Sequence, residues 1–361
     1  MGEKSNSFLV TTVFILFLAS IAYNIYLFSE NTTLSHYYEQ CISDLEKIKY
    51  EYENLTYQYL NLQNQYIMLY ENITLINQSL YAYEQEVSDA LQWFKYNSEL
   101  KNSGIEESKL SILFNRCVRI EKDKCYINLG CIEHMNSQEY IFGFDYKYDN
   151  ETTTKEDKLL SLEEFVENEG GDCEDYALFY KAEFNYLKQL CYEKGADELV
   201  LLSFSFDVPQ HLGEKAQDFF LENTQTWYYP NVYVWKLSNY TYAYVVCGNI
   251  YDFNAHQYTG HCMVAFTPEK INYPSQLQQQ NAVVVEPQIG SVYGIIGKDI
   301  NITTNPYLQN DSIYYVITDE DQYIYSLYFE KWLSYKQIQN ILEEMKLKIN
   351  HLSAKYKPTA F

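Results

Sequence analysis

"VENEGGDCEDYA" (166–177) sets one cysteine, Cys173, between a glycine pair and a run of acids. Just upstream, Ser161 followed by Glu164 makes a capping box, Leu162, Phe165 and Val166 give an apolar face, and Gly170-Gly171 end that helix. Asp172 is then the N-cap of a second helix, with Cys173 at its first helical position. Ala177, Leu178 and Phe184 face inward along it, and Gly195 closes it. Asp175, three residues past the cap, is expected to cap the helix and do no chemistry. Cys173 therefore sits at the positive end of a helix dipole. That dipole contributes ~0.3–2 kcal/mol toward an anion, and Asp172, Glu174 and Asp175 oppose it. A thiol near pKa ~8.5 does not ionise at neutral pH on those terms. An imidazole has to help.

The chain has 6 histidines. His36 and His351 fall in long helical flanks, leaving His134, His211, His256 and His261. His261 lies in "GHCMVAF" (260–266), a strand whose alternation puts His261, Met263 and Ala265 on one face and Cys262, Val264 and Phe266 on the other. A further strand, "AVVVEPQIG" (282–290), ends in Glu286-Pro287. A carboxylate there can accept from the imidazole and fix its tautomer, the logic of a Cys-His-acid triad. The rivals are His256 as base, Asp252 as acid, and Cys173, His261 and Glu286 as plain structural residues.

"GGDCEDYA", "GHCMVAF" and "VVVEPQIG", in that order, resemble the transglutaminase-like superfamily of papain-like folds, particularly its prokaryotic cysteine-peptidase-like branch. The resemblance covers about 160–290. It implies an α+β domain in which a Cys-bearing helix packs on an antiparallel sheet. It also implies Cys173 as nucleophile, His261 as base and then acid, and Glu286 as the orienting acid. The chain departs from that pattern in having Glu where an Asp is usual, and in an insertion at 208–231 suited to a lid or docking surface. It also lacks an oxyanion glutamine, since Glu167 stands six before Cys173.

The flanks set the setting. Phe8 to Phe28 holds 21 residues without a charge, enough at ~1.5 Å per residue to cross ~30 Å of hydrocarbon. The reading is a retained anchor with a cytoplasmic N-terminus, Lys4 before the span and Glu30 after it; a cleaved signal peptide is the rival. N-x-S/T sequons at Asn31, Asn54, Asn72, Asn77, Asn150, Asn239, Asn301 and Asn310 fit a glycosylated, exported surface. Cys117, Cys125 and Cys131 are expected in disulfides, with the connectivity open. No C-x-x-C pair is present, so no zinc site is expected, and with nothing resembling a phosphate loop or a dinucleotide fingerprint no cofactor is expected either. A formal charge of -23 argues against nucleic acid as a partner.

From Leu34 to Phe94 apolar residues keep a strict 4-3 spacing, unbroken by Pro or Gly, with Tyr frequent at a and Leu, Ile or Cys at most d positions. That repeat predicts a left-handed coiled coil about 90 Å long and a homo-oligomer, read as a parallel dimer. The rival is a long helix packed on its own domain. Cys41 lies on the seam. Asn102-Ser103-Gly104 breaks the pattern, 311–330 reads as a hairpin with an acidic turn, and Trp332 to Tyr356 as a basic amphipathic helix.

The expected architecture is an N-terminal membrane anchor (1–30), a coiled-coil stalk (34–100), a transglutaminase-like domain (105–295) and a C-terminal hairpin with helix (296–361). The expected function is thiol-based hydrolysis or acyl transfer on a protein or peptide substrate, outside the cytoplasm. A non-catalytic adhesion or assembly module that keeps the fold is the alternative.

Overall fold

The computed structural model describes residues 3–137, 141–152, 158–205, 214–215, 233–252, 257–302 and 310–356. His211, His256 and nearly all of the 208–231 insertion lie outside them. The chain divides into two compact units, Met1–Gln78 with Ile349–Phe361, and Ser79–Lys348.

The first element is a helix, α1 (Glu3–Tyr96), as the absence of Pro and Gly allows. Its N-terminal part is long and apolar enough to cross a membrane. A 3-10 turn, Leu100–Ser103, and Gly104 at φ 77° then redirect the chain at the expected break. There follow α2 (Glu107–Cys117), β1 (Val118–Glu121), β2 (Lys124–Asn128), α3 (Leu129–Asn136), β3 (Asp145–Tyr146) and the short α4 (Asp149–Thr152). Next come α5 (Leu162–Glu167), β4 (Gly170–Gly171), α6 (Cys173–Glu193), β5 (Glu198–Ser205), β6 (Glu214–Lys215) and β7 (Tyr233–Ser238). The sequence continues with β8 (Tyr242–Asp252), β9 (Gln257–Thr267), α7 (Ser275–Gln279), β10 (Val283–Glu286), β11 (Ser291–Ile295) and β12 (Asn301–Ile302). It finishes with β13 (Ser312–Ile317), β14 (Gln322–Ser326), β15 (Lys331–Ser334) and α8 (Tyr335–Lys355).

The main sheet of the second unit runs β1-β2-β5-β11-β10-β9-β8-β13-β14-β15 among the described residues. Its centre is the antiparallel set β8-β9-β10, with α6 laid on one face. Val245, Cys247, Cys262, Val264, Phe266 and Val285 face that helix, and Phe184 meets Phe266 edge-on at 5.0 Å. Such a pair adds about 0.5–1.5 kcal/mol beyond the area it buries. The intervening residues, Val246, Met263, Ala265 and Val284, build a second core on the other face with Ile313, Val316 and Trp332. A mixed α+β domain with a Cys-bearing helix on its sheet is therefore present, but the sheet is mixed and not antiparallel throughout as expected, since β2–β5, β5–β11 and β12–β13 pair in parallel.

Three expectations shift. The 311–330 hairpin forms as β13 and β14, but β13 pairs with β8, so it extends the head's own sheet instead of standing apart from it. Pairing satisfies the exposed edge that β8 would otherwise present. Trp332 belongs to β15, where its ring meets Tyr325 at 5.8 Å, and the final helix starts at Tyr335. The third concerns the seam of α1, part of which lies against α8. Phe94 packs on Tyr335, Lys346 pairs with Glu84, and the Tyr66 hydroxyl donates to Tyr356 O at 2.6 Å.

Candidate functional site

Local sequence places the cysteine. Ser161 and Glu164 complete the capping box of α5, and the chain then passes through Gly170 at φ 133°. A side chain at Gly170 would strike the Asp145 carbonyl, because β4 pairs with β3 there; the glycines that end α5 thus also form a strand. Asp175 accepts from Leu160 N–H at 2.7 Å and from Asp172 N–H at 3.3 Å. It ties the α6 start to the preceding loop, as a capping acid should. Burial pushes its carboxyl up to about 7.

Cys173 opens α6, buried. Its thiol donates to Glu174 Oε2 at 3.2 Å, and the Cys262 N–H donates to its sulfur. Burial, then Glu174 and Asp172, push the thiol far above its ordinary value, and the Cys262 N–H only partly offsets them. Asp172 is itself driven well up by burial and by Glu174, Asp175 and Asp149. The carboxylates of Asp149, Asp172 and Glu174 crowd within 4.8 Å of one another. The acids beside Cys173 outweigh the helix dipole, as their number in the sequence implied.

His261 and Glu286 meet. His261 Nε2 lies 2.5 Å from Glu286 Oε2, the two side chains projecting from the adjacent strands β9 and β10. Glu286 also accepts from the Gln288 N–H at 3.1 Å, which holds its carboxylate at the strand end. The sulfur of Cys173 comes to the peptide joining His261 to Cys262, because the Cys262 N–H is its donor. Among the described residues β10 stops pairing with β9 at Val285↔Val264. Alternation turns Cys262 toward Cys173 and assigns His261 the face of Met263 and Ala265. The described hydrogen bonds of Cys173 Sγ thus go to Glu174 and Cys262, not to the imidazole.

Two neighbours of the sulfur take roles that the sequence reading did not give them. Glu174, read from sequence only as an acid opposing the dipole, accepts the hydrogen bond of the thiol, and its position next to the cysteine was the available signal. Cys262 brings its sulfur within 4.8 Å of Cys173 Sγ, and only the pairing of β9 over α6 reveals that. Cys262 is joined to Cys247, and the other two disulfides are Cys117–Cys131 and Cys125–Cys191. Cys173 and Cys41 are left as the free thiols. The side chain of Asp252 and the whole of His256, the rival acid and base, fall outside what is described.

Comparison with protein families, characterised proteins and solved structures returns no match for this chain.

Proposed function

We propose that this chain is a membrane-anchored thiol acyltransferase or amidohydrolase acting on protein or peptide substrates outside the cytoplasm, of the transglutaminase-like kind. One observation carries the reading. Every cysteine of the head is consumed in a disulfide except Cys173, which stays reduced at a helix tip beside a strand bearing a hydrogen-bonded His261–Glu286 pair. Three disulfides also favour an oxidising compartment, in keeping with an apolar N-terminal helix as anchor. In the reaction His261 takes the thiol proton and the Cys173 sulfur attacks the substrate carbonyl. The imidazolium then protonates the leaving amine, and water or an acceptor amine releases the acyl group. Glu286 orients the imidazole and stabilises its charged form. The Cys173 backbone N–H, at a helix N-terminus, supplies one oxyanion donor. Catalysis requires the imidazole to displace Glu174 as partner of the thiol.

A second reading is favoured by the thiol donating to Glu174: a head that keeps the fold and does no chemistry. The full chain in detergent, incubated with casein and a biotinylated primary amine and followed by intact mass, separates the two. Acylation at Cys173, or amine incorporation or casein cleavage that Cys173→Ala abolishes and His261→Asn cuts at least a hundredfold, supports the enzyme. No adduct and no turnover between pH 6 and 9 supports the inert head.

A further inference from the structure

The heptad frame of α1 divides in two. The contacts with α8 come from Tyr66 and Phe94 at a, Glu84 at e and Tyr81 at b, and on the same side of α1 the a residues Ile73, Leu80, Val87 and Phe94 are buried and the e residues Tyr70, Asn77 and Glu84 half-buried. The helix α8 therefore occupies an a/e stripe. The d residues stay open: Leu34, Ile48, Leu55, Leu62, Leu69 and Ile76 are each between 47% and 68% exposed, and Cys41 in the same row is exposed. This row extends for about 63 Å at ~1.5 Å per residue, drifting about 20° per heptad, the winding that a left-handed supercoil takes up. Between Leu34 and Leu62 the a residues Tyr38, Leu45, Tyr52 and Tyr59 are exposed as well.

A row of like side chains at 3.5-residue spacing is complementary to the same row on another helix, each knob entering a hole of the facing strand. We propose that α1 pairs with α1 of a second copy, parallel and in register. The pair packs through a and d from Leu34 to Leu62 and through d beyond, leaving α8 on its own stripe. Charge sets the direction. Parallel in-register pairing faces each g residue with the e residue five positions on in the other chain, so Asp44 meets Lys49 of the second copy, twice per pair. The next steps, Glu51 with Thr56 and Gln58 with Gln63, carry no like-charge conflict. An antiparallel pair instead sets the acidic g row of Asp44 and Glu51 against itself. Anchoring through 8–28 at the same end of each copy selects the same direction.

Parallel register brings Cys41 opposite Cys41 of the second copy, where copper–phenanthroline removes two electrons and two protons to form one disulfide. The full chain in detergent is oxidised this way and run on a non-reducing gel. A covalent dimer that disappears with Cys41→Ser is expected, as is a dimer mass by light scattering before oxidation. In the Cys41→Ser background, Leu55→Cys at a d position restores the link and Tyr57→Cys at f does not. A single-chain mass, no link through Cys41, or equal linking by Leu55→Cys and Tyr57→Cys overturns the proposal.

Discussion

The thiol of Cys173 donates to the carboxylate of its own neighbour, Glu174, across 3.2 Å in the first turn of α6. A thiol so placed is held protonated, because ionising it sets a second negative charge beside the first in a buried site. Glu174→Gln removes that charge and leaves the shape. Iodoacetamide modification of Cys173 at pH 7.5 should then run about tenfold faster, one pKa unit of relief, with the rate–pH curve moved to lower pH. An unchanged curve would show that burial and Asp172, not Glu174, set the thiol.

Glu183, fully buried in α6, accepts from Asn136 Nδ2 at 2.7 Å while its other oxygen has no partner. Burial raises its carboxyl well above the ordinary value. The folded state therefore holds a proton that the unfolded chain releases near pH ~4.3, and stability falls as pH rises above that point. Glu183→Gln escapes this loss. Urea unfolding should find the variant more stable by about 1–3 kcal/mol at pH 8 and equal to the parent near pH 4.

Lys181, buried in the same helix, pairs with Asp319 at 2.6 Å and donates to the Thr318 carbonyl at 3.2 Å, fastening α6 to the β13–β14 turn. Asp319→Ala strands the ammonium and should cost about 2–3 kcal/mol, the low end for a buried pair because Asp319 is partly open to water. Burial pushes the Asp319 carboxyl up, but Lys181 outweighs it and holds the group below its usual range. Its contribution is present above pH ~4 and is lost as pH falls through the lowered value. Thermal melts of parent and variant should converge in acid. Lys181→Met added to Asp319→Ala should recover part of the loss.

Cys125–Cys191 joins β2 to the end of α6 across 66 residues of chain. Closing a loop of that length removes about 4 kcal/mol of unfolded-state entropy. Cys125→Ala with Cys191→Ala should lower the denaturant midpoint without moving the Cys117–Cys131 and Cys247–Cys262 links in a peptide map. A map with different partners would refute the pairing itself.

Local signals carried much of the architecture. Ser161 and Glu164, Asp172 and Asp175, and the alternation of 260–266 each depend on neighbours a few residues away, so α5, α6 and β9 were legible with nearly their observed bounds. Trp332 misled because an aromatic residue suits a strand or a helix start equally well, and its partner Tyr325 lies on another strand.

The sequence by itself determined an uninterrupted N-terminal helix with a 4-3 seam, a cysteine at a helix tip among acids, and a strand pairing His261 with alternation that faces Cys262 the other way. All of these follow from spacing along one stretch of chain. Only the tertiary structure decided which sulfurs are bonded, that Glu286 reaches His261, that the Cys173 sulfur rests on Glu174 and the Cys262 N–H, and that α8 takes the a/e stripe of α1 while leaving d bare. Those contacts join residues far apart in the chain, and their geometry comes from how α6 lies on β9 and α8 on α1, which no local periodicity encodes.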